Sequence, residues 1–74
     1  KYAVINVSDL NRFEDGTVVT KELLKESGLV KNQLDGVKVL GNGTLEKKLT
    51  IKADKFSREA IEKIEKSGSK YEVM

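Results

Sequence analysis

Residues 37–57 read V-K-V-L-G-N-G-T-L-E-K-K-L-T-I-K-A-D-K-F-S and contain two apolar segments separated by a glycine-framed turn. The first segment, residues 37–40, is rich in β-branched residues, which favour strands. The second, residues 49–53, alternates apolar and polar residues with the period of a half-buried strand. Gly41–Gly43 lies between them and ends the first strand sharply. This stretch therefore predicts two strands and the turn between them.

Two short helices are predicted from the residues at their ends. Thr20 can cap a helix over residues 21–27, and Ser57 can cap another over residues 58–66. Each segment is followed by a glycine at the position where a left-handed residue commonly ends a helix. Both helices are therefore marked at their two ends.

Weaker patterns occupy the rest of the chain. Residues 2–7 and 71–74 suit strands, Ser8 can cap a short turn of helix, and residues 31–36 form a polar connection. The order of elements predicts an α/β fold in which a small mixed sheet is packed by two helices. The directions in which the strands pair stay open.

The composition excludes several classes of enzyme. The chain has 74 residues, enough for one domain, and contains neither cysteine nor histidine. It therefore has no thiol nucleophile, no disulfide and no histidine base or metal ligand. Glu59 and Glu62 lie three residues apart on the exposed side of a predicted helix, where surface charge is the better interpretation than a catalytic pair. We expect no enzymatic activity, no metal and no cofactor.

The Gly41–Gly43 turn has a second interpretation, as a loop that binds nucleotide phosphates. It lacks the third glycine of such loops, and no helix is predicted directly after it. A tight turn is the better interpretation. Glycines also allow another backbone, including that of an RNA, to approach closely.

Positive charge is concentrated in the second half of the chain. The formal net charge is +2, but residues 38–74 carry nine basic and six acidic residues, whereas residues 1–37 carry five and six. Five basic residues fall within twelve positions with only Asp54 among them: Lys47, Lys48, Lys52, Lys55 and Arg58. They form either an ordinary solvated face or a surface that contacts phosphates.

Several separated motifs follow one another along the chain. The clearest are K-V-L-G-N-G at 38–43, L-T-I-K-A at 49–53 and K-F-S at 55–57. Weaker ones lie at 6–7, 10–13, 15–17, 29–31 and 70–73. Taken in this order, the motifs resemble bacterial large-subunit ribosomal protein fifteen, and the resemblance covers nearly the whole chain.

The resemblance implies a non-enzymatic, structural constituent of the large ribosomal subunit in the cytoplasm. Its implied partners are large-subunit ribosomal RNA and neighbouring ribosomal proteins, with a role in subunit assembly and no membrane or small-molecule substrate. It implies an irregular β-β-α superhelical arrangement of strands and helices. Family members also carry a basic N-terminal extension. Because the chain opens at Lys1 with a strand almost at once, we expect residues 1–74 to be one globular, C-terminal domain of a longer protein.

The basic run and the glycine turn are the candidate RNA-binding residues. We hypothesise that phosphates are met by Lys47, Lys48, Lys52, Lys55 and Arg58. Close backbone approach is assigned to Gly41, Asn42 and Gly43. Asp54, where the family more often has another residue, is expected to weaken a phosphate contact. The alternative is a module that packs mainly against ribosomal proteins, with RNA recognition in the extension.

Overall fold

Short strands and helices follow one another throughout the computed structural model, which describes residues 1–32 and 36–74. In chain order they are β1 Ala3–Asn6, a 3₁₀ helix Val7–Arg12, β2 Val18–Val19, α1 Lys21–Glu26, β3 Val37–Leu40, β4 Thr50–Ala53, β5 Lys55–Phe56, α2 Arg58–Lys66 and β6 Lys70–Val73. The predicted polar connection over residues 31–36 falls partly on residues 33–35, which lie outside the described part of the chain.

The strands form two three-stranded sheets. One has the order β1-β3-β5 and is called here the odd-strand sheet; the other has the order β2-β4-β6 and is called the even-strand sheet. Every pairing among the described strands is parallel. Successive strands along the chain therefore alternate between the two sheets, and the chain winds from one sheet to the other.

This winding confirms the α/β class and the superhelical arrangement, but corrects one expectation. Two parallel sheets stand where a single small mixed sheet was predicted. Parallel neighbours need a crossover connection. Here each crossover contains a strand of the other sheet, so consecutive strands do not pair with each other.

One hydrophobic cluster joins the inner faces of both sheets to the helices. The central strands contribute alternate residues: Val37 and Val39 from β3, and Ile51 and Ala53 from β4. The other buried members are Ile5, Val7, Leu10, Val19, Leu24, Val30, Leu45, Leu49, Ala60 and Ile64. The alternation predicted for residues 49–53 is therefore confirmed, and its polar positions face outward.

An aromatic pair also bridges the sheets. The rings of Phe56 on β5 and Tyr71 on β6 lie 5.1 Å apart between centroids and are tilted by 56°. Tilted rings at this distance attract each other beyond their area of contact. Phe56 is therefore a packing residue of the core rather than a platform for RNA bases.

The helix caps follow the sequence closely. The Thr20 hydroxyl accepts the Leu23 N–H at 3.1 Å, and the Ser57 hydroxyl accepts the Ala60 N–H at 3.1 Å. Both α-helices begin at the predicted residues, and α2 ends where predicted, at Lys66. Because each cap bond is local, the sequence was sufficient to place it.

The expected cap at Ser8 is wrong. Asn6 is the capping residue of the 3₁₀ helix, and its N–H donates to the Asp9 carboxylate at 2.9 Å. This bond ends β1 at Asn6, so Val7 belongs to the 3₁₀ helix rather than to the strand. The Asp9 carboxylate, three residues further along the chain, sets the end of β1 because it accepts the N–H of the capping residue Asn6.

Asp54 is the residue at which the chain leaves the even-strand sheet and enters the odd-strand sheet. Its N–H donates to the Val37 carbonyl at 3.0 Å, and its carboxylate accepts the Val37 N–H at 2.7 Å. Lys21 of α1 donates to both carboxylate oxygens at 3.3 Å. The N–H of Val37 lowers the pKa of the Asp54 carboxyl; partial burial opposes this shift, and the ammonium of Lys21 adds to it.

Asp54→Asn tests this contact through its pH dependence. When folding lowers the pKa of a carboxyl, its charged form stabilises the folded state at pH values above the ordinary pKa of 3.8. That stabilisation is lost as the pH falls through the lowered pKa of the folded state. We expect Asp54→Asn to cost about 1–2 kcal/mol of unfolding free energy at pH 7, because charge-assisted hydrogen bonds exceed neutral ones by about that much. Urea unfolding from pH 7 to pH 2 measures the difference.

The wild-type and Asp54→Asn curves should converge at the acid end. Glu26→Gln, on the exposed side of α1, is the control, and it should follow the wild type throughout. A constant difference between wild type and Asp54→Asn at all pH values would contradict the assignment.

Candidate nucleic-acid interface

The Gly41–Gly43 loop is built against the rest of the protein. Gly41 is buried, and a Cβ there would lie 2.5 Å from the Cβ of Glu59 and 2.7 Å from the backbone N of Ala60. A Cβ on Gly43, whose φ is +82°, would lie 2.5 Å from the Cβ of Ser8. The glycines therefore let the end of β3 pack on the first turn of α2 and on the 3₁₀ helix.

Lys63 holds this loop from α2. Its ammonium donates to the carbonyls of Gly41 and Gly43. Asn42, between them, is exposed, and its side-chain amide donates to the Asn6 side chain at 2.9 Å. The loop is therefore shaped by internal contacts, and its outer part is Asn42 with Gly43. Contact of the loop with RNA stays a prediction.

The sequential run of five basic residues is divided by the crossing at Asp54. Lys52 lies on β4 of the even-strand sheet, and Lys55 lies on β5 of the odd-strand sheet. Their neighbours Ile51 and Ala53 are buried and Phe56 packs on the core, so both lysines lie on outer faces. The run thus supplies positive charge to two sheets instead of one continuous strip.

Lys48 and Lys52 lie on the outer side of the even-strand sheet, Lys52 within β4 and Lys48 two residues before it begins. They alternate with Leu49 and Ile51, which are buried. Lys70 of β6 stands opposite Thr50, the residue between the two lysines on this face. Glu72 stands opposite Lys52 in the same register. The face therefore gathers three lysines, of which the sequence analysis had singled out two.

Main-chain hydrogen bonds to the loop before β2 set the position of Lys48. The Lys48 N–H donates to the Asp15 carboxylate at 2.8 Å, and the Lys48 carbonyl accepts the Gly16 N–H at 2.7 Å. The Lys48 side chain then runs beside Gly68, where a Cβ would be 3.5 Å from its Cε. The main chain is held at this point while the ammonium stays exposed.

The other two cations are placed differently. Lys47 is half-buried, and its carbonyl accepts the Ser69 hydroxyl at 2.8 Å. The same hydroxyl accepts the Leu49 N–H at 2.9 Å, so Ser69 fastens the start of β4 to β6. Arg58 is exposed at the first residue of α2. Neither Lys47 nor Arg58 lies in a strand of the two sheets.

Charge compensation differs between Asp54 and its basic neighbours. The Asp54 carboxylate is occupied by Val37 and Lys21, as described above, so its charge is balanced inside the protein. Within residues 1–32 and 36–74, no ion pair involves the side chains of Lys47, Lys48, Lys52 or Arg58. Lys47, Lys48 and Arg58 therefore direct their charges to solvent, whereas Lys52 stands opposite Glu72 across the sheet without forming an ion pair with it.

Sequence reasoning did not single out Lys38, Lys63, Lys66 and Lys70. Lys63 and Lys66 line a surface groove of about 310 Å³ with Thr44, Leu45 and Ser67. Lys38 and Lys70 become neighbours of the basic run only through strand register. Helical spacing could have placed Lys63 and Lys66 near each other, whereas the register of a parallel sheet is not written in any short stretch of sequence.

Groups of metal-binding side chains and membrane-spanning helices are both absent from the described part of the chain. Its acidic residues form no group of three or more suited to hold a metal ion. No described helix is long and apolar enough to cross a membrane.

A comparison with protein-family models places the chain among the proteins of the large ribosomal subunit: residues 4–72 match one family of them. The chain belongs to the family described as ribosomal proteins fifteen and eighteen-e of the 50S subunit and twenty-seven-A of the 60S subunit. The match includes β2 to β5 and both α-helices in full, and it leaves out only Ala3 of β1 and Val73 of β6 among the strand residues. This membership confirms the resemblance and supports a structural role in the large subunit of the ribosome.

Lys63→Met tests whether Lys63 holds the glycine loop. Methionine keeps the apolar stem but removes the donor, which leaves the carbonyl of buried Gly41 without this partner. We expect a loss of about 1.5–3 kcal/mol of unfolding free energy, the usual value of hydrogen bonds to a charged group. Urea unfolding at neutral pH measures it.

Lys66→Met is the matched control, because Lys66 lies on the same helix but is exposed. It should change the free energy of unfolding by no more than about 0.5 kcal/mol. Equal losses in the two variants would mean that the bonds from Lys63 to the loop contribute nothing of their own.

Proposed function

We propose that this domain binds large-subunit ribosomal RNA through its phosphates and thereby supports assembly of the subunit in the cytoplasm. The observation that carries the proposal is the set of five cations in residues 47–58, which form no ion pair with any described residue and lie on the outer sides of a compact fold. RNA carries one negative charge per phosphate, and lysine and arginine contacts to phosphate supply much of the affinity of such complexes.

The proposed contacts position the RNA rather than read its bases. Four of the five cations are lysines: Lys47, Lys48, Lys52 and Lys55, with Arg58 as the fifth. The lysine ammonium is a point charge that distinguishes poorly between sequences. Preference for ribosomal RNA would then come from the arrangement of phosphates in a folded RNA, matched to lysines on two sheets.

The glycine loop is assigned a supporting role in this proposal. Asn42 and Gly43 are exposed at its outer part, where an RNA backbone could approach closely. Gly41 is buried against α2 and would act by shaping the loop. No catalytic step is part of the proposed function.

A second candidate function, packing against neighbouring ribosomal proteins, is favoured by apolar residues on the even-strand sheet. Val18 on β2 and Val73 on β6 are 48% and 64% exposed, and Met74 beyond β6 is 64% exposed. These residues lie on or beside the two edge strands, which are also free to meet another protein. In this alternative the domain would bind RNA weakly and without preference.

The double variant Lys48→Ala/Lys52→Ala tests the RNA-binding proposal. Each phosphate contact contributes roughly 0.7 to 0.9 to the steepness of log affinity against log salt. Loss of two contacts should therefore lower the slope by about 1.4–1.8 and weaken binding to large-subunit ribosomal RNA. Binding across a potassium chloride series measures both, and circular dichroism checks that the fold is kept.

Lys25→Ala/Lys31→Ala is the matched control, because it removes the same charge from exposed positions in the first half of the chain. A structured RNA unrelated to the ribosome tests preference. Wild-type slope and affinity in the Lys48→Ala/Lys52→Ala variant would remove these lysines from the site. Equal binding of both RNAs by the wild type would favour the protein-packing alternative.

A further inference from the structure

The register of β3 and β5 places two lysines directly opposite each other. Lys38 is the partner of Lys55, and the next pair along the strands is Val39 with Phe56. Val39 is buried and Phe56 packs on the core, so both lysines lie on the outer face of the odd-strand sheet. Neighbouring strands are only about 4.8 Å apart. The sheet therefore holds two positive side chains on adjacent strands at the same level.

Like charges directly opposite each other destabilise a sheet. In the described part of the chain, no carboxylate pairs with Lys38 or Lys55. Asp54, the carboxylate next to Lys55 in sequence, is turned towards Val37 and Lys21. The Lys55 ammonium instead lies 5.3 Å from the centre of the Tyr2 ring. That contact attracts the ammonium but leaves its charge in place.

Across the odd-strand sheet, Lys38 lies in a row between Lys55 of β5 and a residue of β1, and this third residue does not compensate the lysine pair either. Val4 of β1 stands opposite Lys38 on the other side and is 53% exposed. The row thus consists of an exposed apolar residue and two lysines. A fold that keeps such a pair gives up some stability, and residues that break a local rule in this way are commonly functional.

We propose that Lys38 and Lys55 together hold one phosphate group of the RNA, so that Lys38 is an RNA contact that the basic run does not contain. This inference rests on the proposed function. A phosphate between the two ammonium groups turns their repulsion into two attractions and needs no movement of the strands. The bound group is a backbone phosphodiester, because the polar groups of this row are two ammonium groups, which are point charges that do not distinguish one base from another.

Lys38→Glu tests the inference, because it should move stability and binding in opposite directions. The new carboxylate faces Lys55 and replaces a like-charge pair by an opposite-charge pair. We expect the Tm to rise by a few degrees, because an opposite-charge pair across adjacent strands replaces a repulsive one. Affinity for large-subunit ribosomal RNA near 0.15 M salt should fall by about fivefold or more, and the salt slope with it.

Lys31→Glu is the matched control, since it makes the same change of net charge at an exposed position outside both sheets. Its effect on RNA binding should be clearly smaller than that of Lys38→Glu. Unchanged RNA binding by Lys38→Glu would overturn the inference. Weaker binding together with a lower Tm would also overturn it, because damage to the fold would then explain the loss.

Sharing of a single phosphate has its own test. The variants Lys38→Gln, Lys55→Gln and the double variant are compared in the same salt series. If the two lysines share one phosphate, the double variant should lower the slope by only about 0.7–0.9. A fall of about 1.4–1.8 would show two separate contacts and overturn the sharing.

The wild type separates this inference from the proposed function. If the unmodified chain shows no salt-dependent binding to ribosomal RNA, the proposed function fails and the inference fails with it. If the wild type binds and Lys48→Ala/Lys52→Ala weakens binding while the Lys38 variants do not, only the inference fails. Stabilisation of the wild type by inorganic phosphate, with RNA binding unchanged in the Lys38 variants, would assign the pair to a free anion and overturn it too.

Discussion

The contact between Asp54 and Val37 is the constraint on which the two-sheet arrangement depends. Between β4 and β5 the chain has a single residue in which to pass from one sheet to the other. At this residue the main-chain N–H of Asp54 donates to the Val37 carbonyl, and the Asp54 carboxylate accepts the Val37 N–H. Val37, the first residue of β3, is thereby hydrogen-bonded to the residue that precedes β5. Lys21 ties α1 to the same carboxylate, so one side chain joins both sheets to a helix.

The crossing at Asp54 also decides how charge is displayed. A continuous strand from Lys47 to Arg58 would place its cations along one sheet. Because the chain changes sheets, Lys48 and Lys52 lie on the side of the even-strand sheet with Lys70, while Lys55 lies on the odd-strand sheet with Lys38. In the proposed function, a folded RNA would be held at several phosphates that are not neighbours along its chain. The glycine loop beside α2 is held to the same body by Lys63.

Stability and charge display oppose each other in this domain. A chain of 74 residues buries a smaller fraction of its surface than a larger domain does, so its margin of stability is narrow. It nevertheless keeps Lys38 opposite Lys55, and its basic run forms no ion pair with a carboxylate of residues 1–32 or 36–74. Only Lys52 has a carboxylate, that of Glu72, opposite it in the sheet. By contrast, the charge of Asp54 is paired with Lys21 at the point where the chain crosses between the two sheets. A surface selected for stability alone would carry opposite charges in these positions.

The sequence alone determined the elements whose bonds are local. The caps at Thr20 and Ser57 lie within three residues of the N–H groups they satisfy, and the alternation over residues 49–53 follows from the pleat of a strand. Family membership was also readable, because it rests on motifs in order. Only the tertiary structure decided which strands pair, and therefore that Asp54 is a joint, that Gly41 faces α2 and that Lys38 meets Lys55. These contacts join residues 17 to 19 positions apart, and their partners are chosen by how the whole chain packs its core.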